Sequence, residues 1–386
     1  MNISKLSYLK IVSLSCILLT SLFVGCIEPE QKSGDMKETI PEIHLDQSSI
    51  LPDWVDGEYH EYYGTMQALS DFNDKFPDLV DVFSIGGSVL GKNIWCIRVT
   101  NEKNNNMKRS CLIDGCIHGC EWEAGEACLY LAEYLLINFD KNETVTDVLN
   151  AAEVYIVPLL NPDGRQRDER WNDNGIDLNR NFDVHFGRLR SHNFPLGKLF
   201  GFIKIPMIEL PRKGVVYTNC GRRPFSEPET QAVRDLAKSL DSKDFSFYVN
   251  CHTAMHFFGS IIDVSYKPEY KATKNEREVL DTVLDWVDET TEYDIFYPDE
   301  FSITGAGVAH HWIFKEFRIP SFCFELLSLD YEPWFEGGKH DHLVHWMKTA
   351  LPVFMYLLVN IENLHDWKTP DIQPPLPEGV PPSPLK

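Results

Sequence analysis

From residue 80 onwards, short apolar runs of strand length alternate with segments whose apolar residues recur at helical spacing. VDVFSI (80–85) and NIWCIRVT (93–100) flank the turn GGSVLGK and read as a β-hairpin. SCLIDGCI (110–117), AEVYIVPLL (152–160), FSFYVNC (245–251) and SFCFELLS (321–328) read as buried strands. Between them lie the helical patterns GEACLYLAEYLLINF (125–139), FSEPETQAVRDLAKSL (225–240) and LVHWMKTALPVFMYLLVNI (343–361). The second opens with Ser226 and Glu229 in the spacing of a capping box. This alternation predicts an α/β fold: a mixed, largely parallel twisted sheet, buried on both faces by helices. In such a sheet, functional residues gather at the carboxyl ends of strands.

The two ends of the chain read differently. Lys5 and Lys10 precede an apolar run from Ile11 to Gly25, followed by Cys26 and a polar stretch. That run is short of the ~20 residues of a membrane span and predicts an export signal over residues 1–25. LFVGC resembles a lipoprotein cleavage box, with Cys26 the lipid-bearing residue of a surface protein; an uncleaved anchor and simple secretion are the alternatives. Residues 26–55 read as a tether, 56–362 as the catalytic domain, and 363–386, dense in proline, as a polyproline-type tail. The net charge of −22 argues against a nucleic-acid partner, which needs clustered Lys and Arg.

Eight cysteines lie beyond residue 26. An exported chain permits disulfides, but their apolar, strand-like settings suit buried thiols at least as well. Cys116 and Cys120 lack the second close pair a thiolate zinc clip needs. His340, His342 and His345 form a cluster with no acid or strand context and read as a helix start.

His118 and Glu121 stand three apart just after a strand and before a helix, so both can face one point at the sheet edge. A catalytic zinc takes three N or O ligands and keeps one position open. An HxxE pair alone is common by chance. Here it is followed in order by NPDG (161–164), RWNDNGIDLNRNFD (170–183), SEPET (226–230), the strand-end His252, and FELLS with Glu325. The ordered set resembles the zinc carboxypeptidase family over roughly residues 56–362.

The resemblance implies one zinc per chain held by His118, Glu121 and His252, with His256 a competitor for the third place. It implies that Glu325 is the general base and that Arg170 stabilises the oxyanion, with Arg165 and Arg167 close enough to compete. Asn179 and Arg180 match the pair that grips a terminal carboxylate, and His310, counted back from Glu325, falls at the floor of the side-chain pocket. There an imidazole, cationic just below neutral pH, disfavours basic ends. The chain departs from the family at Cys120, where an arginine is usual, and at Ile303, where a tyrosine is usual and Tyr297 is the nearest substitute. The implied activity is release of C-terminal residues from peptides with a free carboxylate. Cell-wall-type peptides, small N-acyl amino acids and an inactive peptide-binding surface protein are the rivals.

Overall fold

The computed structural model describes residues 59–186, 219–253, 257–260, 272–291, 293–296, 307–326 and 339–374. In chain order the elements are α1 (Tyr62–Lys75), β1 (Val80–Gly87), β2 (Asn93–Val99), β3 (Arg109–Asp114), α2 (Trp122–Asn138), α3 (Glu143–Ala151), β4 (Ala152–Val157) and α4 (Pro162–Arg167). There follow a 3₁₀ turn (Leu178–Arg180), α5 (Pro228–Asp241), β5 (Phe245–Thr253), β6 (Phe257–Ser260), α6 (Lys274–Thr290) and β7 (Asp294–Phe296). The described chain closes with α7 (Ala309–Phe317), β8 (Ser321–Leu326), α8 (Lys339–Val359) and α9 (Ile361–His365).

One eight-stranded sheet runs β1-β2-β4-β3-β5-β8-β6-β7. Its four central strands, β4, β3, β5 and β8, are parallel, while the β1–β2 hairpin and the β2–β4 and β8–β6 pairs are antiparallel. The expected mixed, largely parallel α/β sheet is therefore present. Its strands show the period-two alternation of a sheet covered on both sides. Cys111 and Ile113 of β3 and Phe247, Val249 and Cys251 of β5 pack into the core shared with α2, α6 and α8. Leu112 and Tyr248 face the opposite core, built with α5 and α7. Each fully buried apolar side chain of this kind contributes roughly 1.5–3 kcal/mol through burial.

Local signals were met with one exception. α5 begins at Pro228 with Glu227 as its N-cap residue and no side-chain cap, so the Ser226–Glu229 capping box does not form. Ser226 Oγ instead donates to Glu227 Oε1 at 2.6 Å, and Glu229 accepts from Asn172 and Val89 N. Residues 363–374 are ordered against the body: Leu364 is fully buried, Asn360 bonds the backbone of Ile372 in both directions, and Trp286 Nε1 donates to Gln373. All eight described cysteines are unbonded thiols, six of them buried. Among the described residues no helix is long and apolar enough to cross a membrane.

α2 is buried nearly all round, which forces three glutamates inside with it. Glu123 and Glu126 have partners, in Tyr59 and in His60 with Arg165. Glu133 is 1% exposed and its Oε1 has no hydrogen-bond partner among the described residues. Burial pushes its carboxyl from 4.5 up to about 7, with the His60 and Lys75 charges opposing. The native state thus binds this proton more tightly than the unfolded chain. Its contribution to stability is complete below the unfolded value and declines as pH rises through about 7. Glu133→Gln should therefore raise the melting temperature at pH 8 and lose that advantage by pH 4.5, a difference on the order of 1–3 kcal/mol. Thermal melts of the two proteins across that range check it; a pH-independent difference contradicts it.

Candidate active site

The carboxyl ends of the four parallel strands supply the site, one segment each. The β3 end carries the loop 115–121, and the β4 end carries the NPDG segment that supports it. Asn161 N donates to Cys116 O at 3.0 Å and Leu160 N to Gly115 O at 3.1 Å, while the Asn161 side chain donates to Ile117 O and caps α4 by accepting from Gly164 N. Gly119 is pressed on the start of α4: a Cβ there would lie 2.0 Å from the Gly164 carbonyl carbon and 2.2 Å from Arg165 N. Arg165 is fixed below by His60 O and Glu126 and lies over the Trp122 ring.

This seating aims His118 and Glu121 at the end of β5. Glu121 Oε1 is 2.6 Å from His118 Nδ1, and its Oε2 is 2.9 Å from His252 Nδ1. One ligand atom from each of the three residues lies within 4.8 Å of the others, and all three residues are buried. Burial alone would raise the Glu121 carboxyl, but the two imidazoles outweigh it and hold it well below the usual range. Burial lowers His252 despite Glu121. Two imidazoles and a carboxylate, converging by one atom each, fit a borderline cation such as zinc.

The far side of each ring is also held. His118 Nε2 lies 3.1 Å from Asp177 Oδ1, and His252 Nε2 lies 2.5 Å from Asn250 Oδ1. Arg170 Nε donates to Asp177 Oδ2 at 2.9 Å, and its Nη1 comes within 3.6 Å of Glu121. Burial opposes the Arg170 charge, yet Asp177 and Glu121 raise its pKa; Asp177 in turn is held far below its ordinary value against burial by Arg170 and His118. Arg165 and Arg167 point elsewhere, to Glu126 and to Glu169 with Asp173.

Glu325 is the register partner of His252 across β5 and β8. Its carboxyl is raised well above its usual value by burial and by Glu121, against Arg170 and Arg180. Asn179 accepts from Ala309 N at 2.8 Å and turns its Nδ2 toward His252 Nε2 at 3.1 Å. Arg180 is 9% exposed, donates to Asn179 O, and is lowered chiefly by burial. Gly307, at φ +74°, packs on the Arg180 carbonyl and exchanges backbone bonds with Phe182 and Val184, which brings α7 and His310 beside Arg180. His310 is buried and its Nδ1 has no hydrogen-bond partner among the described residues. Its expected titration just below neutral pH does not hold: burial, then His311, His252 and Arg180, push it well below 6.5, so the ring is neutral.

All eight residues named from the sequence thus lie around one sheet edge. The family description "Zinc carboxypeptidase" matches residues 65–331. The chain belongs to the zinc carboxypeptidase family. It is 23% identical to carboxypeptidase O of Bos taurus over 330 residues, covering 80% of this chain and 81% of that protein. It is 24% identical to carboxypeptidase B2 of Rattus norvegicus over 294 residues, covering 69% of this chain but only 64% of the relative. Among solved structures, carboxypeptidase A from Helicoverpa armigera superposes with a TM-score of 0.62 at 20% identity, over 83% of this chain and 77% of that one. Thrombin-activatable fibrinolysis inhibitor gives 0.63 at 19%, over 82% and 77%. At these identities the structures speak for the fold.

Sequence reasoning missed Asp177, Asn250 and Asp114. Asp177 was visible as the carboxylate opening DLNRN, and Asn250 as a polar residue two before His252 on the same strand face. Cys120 is exposed between the two ligands of its loop. His256, Tyr297 and Ile303 lie outside the described residues.

The Gly119 contact generates a test. Gly119→Ala must push the loop off Gly164, since backbone stands on both sides, and should weaken zinc retention by roughly 10- to 100-fold. Zinc per chain after dialysis against a weak chelator measures it. Parent-level retention would show that the contact does not position the ligands.

Proposed function

We propose that the chain is a zinc-dependent carboxypeptidase that hydrolyses the C-terminal peptide bond of peptides with a free carboxylate, using one zinc held by His118, Glu121 and His252. The observation that carries this reading is the convergence of those three donors beside Glu325, Arg170, Asn179 and Arg180 at one sheet edge. When bound there, zinc would supply Lewis acidity that polarises a carbonyl and brings the pKa of a water toward neutrality.

The chain's own residues supply the rest. Glu325 takes a proton from the attacking water and passes it to the departing amine. Arg170, kept charged by Asp177 and Glu121, faces the negative charge that develops on the carbonyl oxygen. Arg180 and Asn179 hold the terminal carboxylate, for which a planar guanidinium offers a two-point contact. Burial that penalises the Arg180 charge also strengthens its attraction for an incoming anion. His310, neutral and next to Arg180, meets the terminal side chain and carries no negative charge to receive Lys or Arg.

Export belongs to the same proposal: a leader over residues 1–25 and a lipid at Cys26 would place the enzyme at the cell surface, anchored to the membrane and tethered through 26–55. Those residues lie outside the described ones.

A blocked-dipeptide series tests this reading. Substrates with a free C-terminus should turn over and their C-terminal amides should not. Lys and Arg ends should be poor, and His310→Asp should raise their kcat/KM relative to polar ends by more than about tenfold, the scale of one buried charge pair. Equal hydrolysis of the amides would remove the exopeptidase assignment; an unchanged ranking in the variant would move the pocket floor away from His310.

A further inference from the structure

Tyr248, Asn250 and His252 occupy alternate positions of β5 and so share one face of the strand. Asp114, the last residue of β3, pairs in register with Asn250. None of Asp114, Tyr248 and Asn250 has measurable exposure, and His252 has 1%. The Tyr248 hydroxyl donates to Asp114 Oδ2 at 2.6 Å, and Asn250 Nδ2 donates to Asp114 Oδ1 at 2.5 Å. Asn250 Oδ1 then lies 2.5 Å from His252 Nε2.

An amide can be turned end for end at little steric cost, so its partners fix its direction. Burial pushes the Asp114 carboxyl up to about 7, against the Tyr248 and Asn250 donors, and in its ionised form it only accepts. Asp114 therefore draws the Asn250 NH₂ toward itself and leaves the oxygen for His252. The His252 Nε2 also faces a rival, the Asn179 Nδ2 donor at 3.1 Å. One ring nitrogen cannot donate to the first and accept from the second at once, and the oxygen at 2.5 Å outcompetes the donor at 3.1 Å. A proton on Nε2 leaves the Nδ1 lone pair facing the point where Glu121 and His118 converge.

We propose that Asn250, oriented by Asp114 and Tyr248, is a positioning residue that fixes His252 in the Nε2–H tautomer and so sets its Nδ1 as the ligand atom. The same choice leaves Asn179 Nδ2 uncommitted to the ring and available to the substrate carboxylate. The inference rests on the reading of His252 as a zinc ligand. It adds a buried three-residue support that reaches from the β3–β5 pair to the metal position.

The support has a specific signature, because its pattern can be swapped. Asn250→Asp sets two carboxylates against each other, whereas Asp114→Asn alone is milder, since its oxygen can still face Asn250 while its NH₂ donates to the Tyr248 oxygen. In the double variant the carboxylate at 250 accepts from His252 Nε2–H and from the new amide at 114, whose oxygen still accepts from Tyr248. The readout is the rate at which the zinc-loaded full chain loses zinc to excess chelator, alongside its melting temperature. Asn250→Asp should lose zinc about 10 to 100 times faster than the parent, Asp114→Asn only a few-fold faster, and the double should recover to within a few-fold. Tyr248→Phe, which removes one donor and keeps the shape, should show a smaller acceleration and serves if a single variant does not fold. A double variant as leaky as Asn250→Asp, or a folded Asn250→Asp variant with parent-level retention, overturns the proposal while leaving the metal reading intact. Parent protein that binds no zinc overturns both.

Discussion

Glu121 stands between both imidazoles, one oxygen 2.6 Å from His118 Nδ1 and the other 2.9 Å from His252 Nδ1, at a point where almost no solvent reaches. A carboxylate buried this far would cost several kcal/mol were it left alone. Its surroundings make it the charge around which the site is organised. Arg170 is kept cationic partly by it, and Glu325 is raised partly by it. Asp177 answers from the other side, accepting from Arg170 and His118 together. The result is an alternation of carboxylates with rings and guanidinium, in which removing any one leaves another buried charge without its partner.

That alternation requires backbone placement to a fraction of an ångström, and the parallel centre of the sheet provides it. β3 and β4 end side by side, so the loop after one can lie on the helix start after the other; residue 119 can rest on the Gly164–Arg165 peptide because it has no side chain. β5 and β8 end in register, so His252 and Glu325 face the same space. Asn161 spans the two functions of the NPDG segment, capping α4 with its oxygen and holding the ligand loop with its NH₂. The motif thus reads as support for the ligands rather than as a ligand itself.

Much of this was legible in the amino-acid order. The apolar run 245–251 and the helical spacing in 125–139 located elements correctly, because burial on both faces of a sheet writes itself into composition. The HxxE pair became meaningful only with the segments that follow it, since its three-residue spacing is frequent by chance. What was not legible depends on partners distant in sequence. Nothing near Ser226 signals that Asn172 and Val89 take Glu229 away from a capping box. His311 is visible beside His310 in the sequence, but the burial of His310 and the closeness of His252 and Arg180, which also keep the ring neutral, are not. Asp114 and Asn250, polar residues in apolar strands, look alike from sequence until the β3–β5 register sets them side by side.

Glu325 is proposed as the proton acceptor beside a metal that His118, Glu121 and His252 hold. Glu325→Gln isolates that role, since the amide keeps the shape and cannot take the proton. Zinc stoichiometry and steady-state turnover on one preparation measure both halves. The variant should hold about one zinc per chain, as in the parent, with turnover reduced by roughly 10²- to 10⁴-fold. Turnover close to that of the parent, with zinc retained, would contradict it.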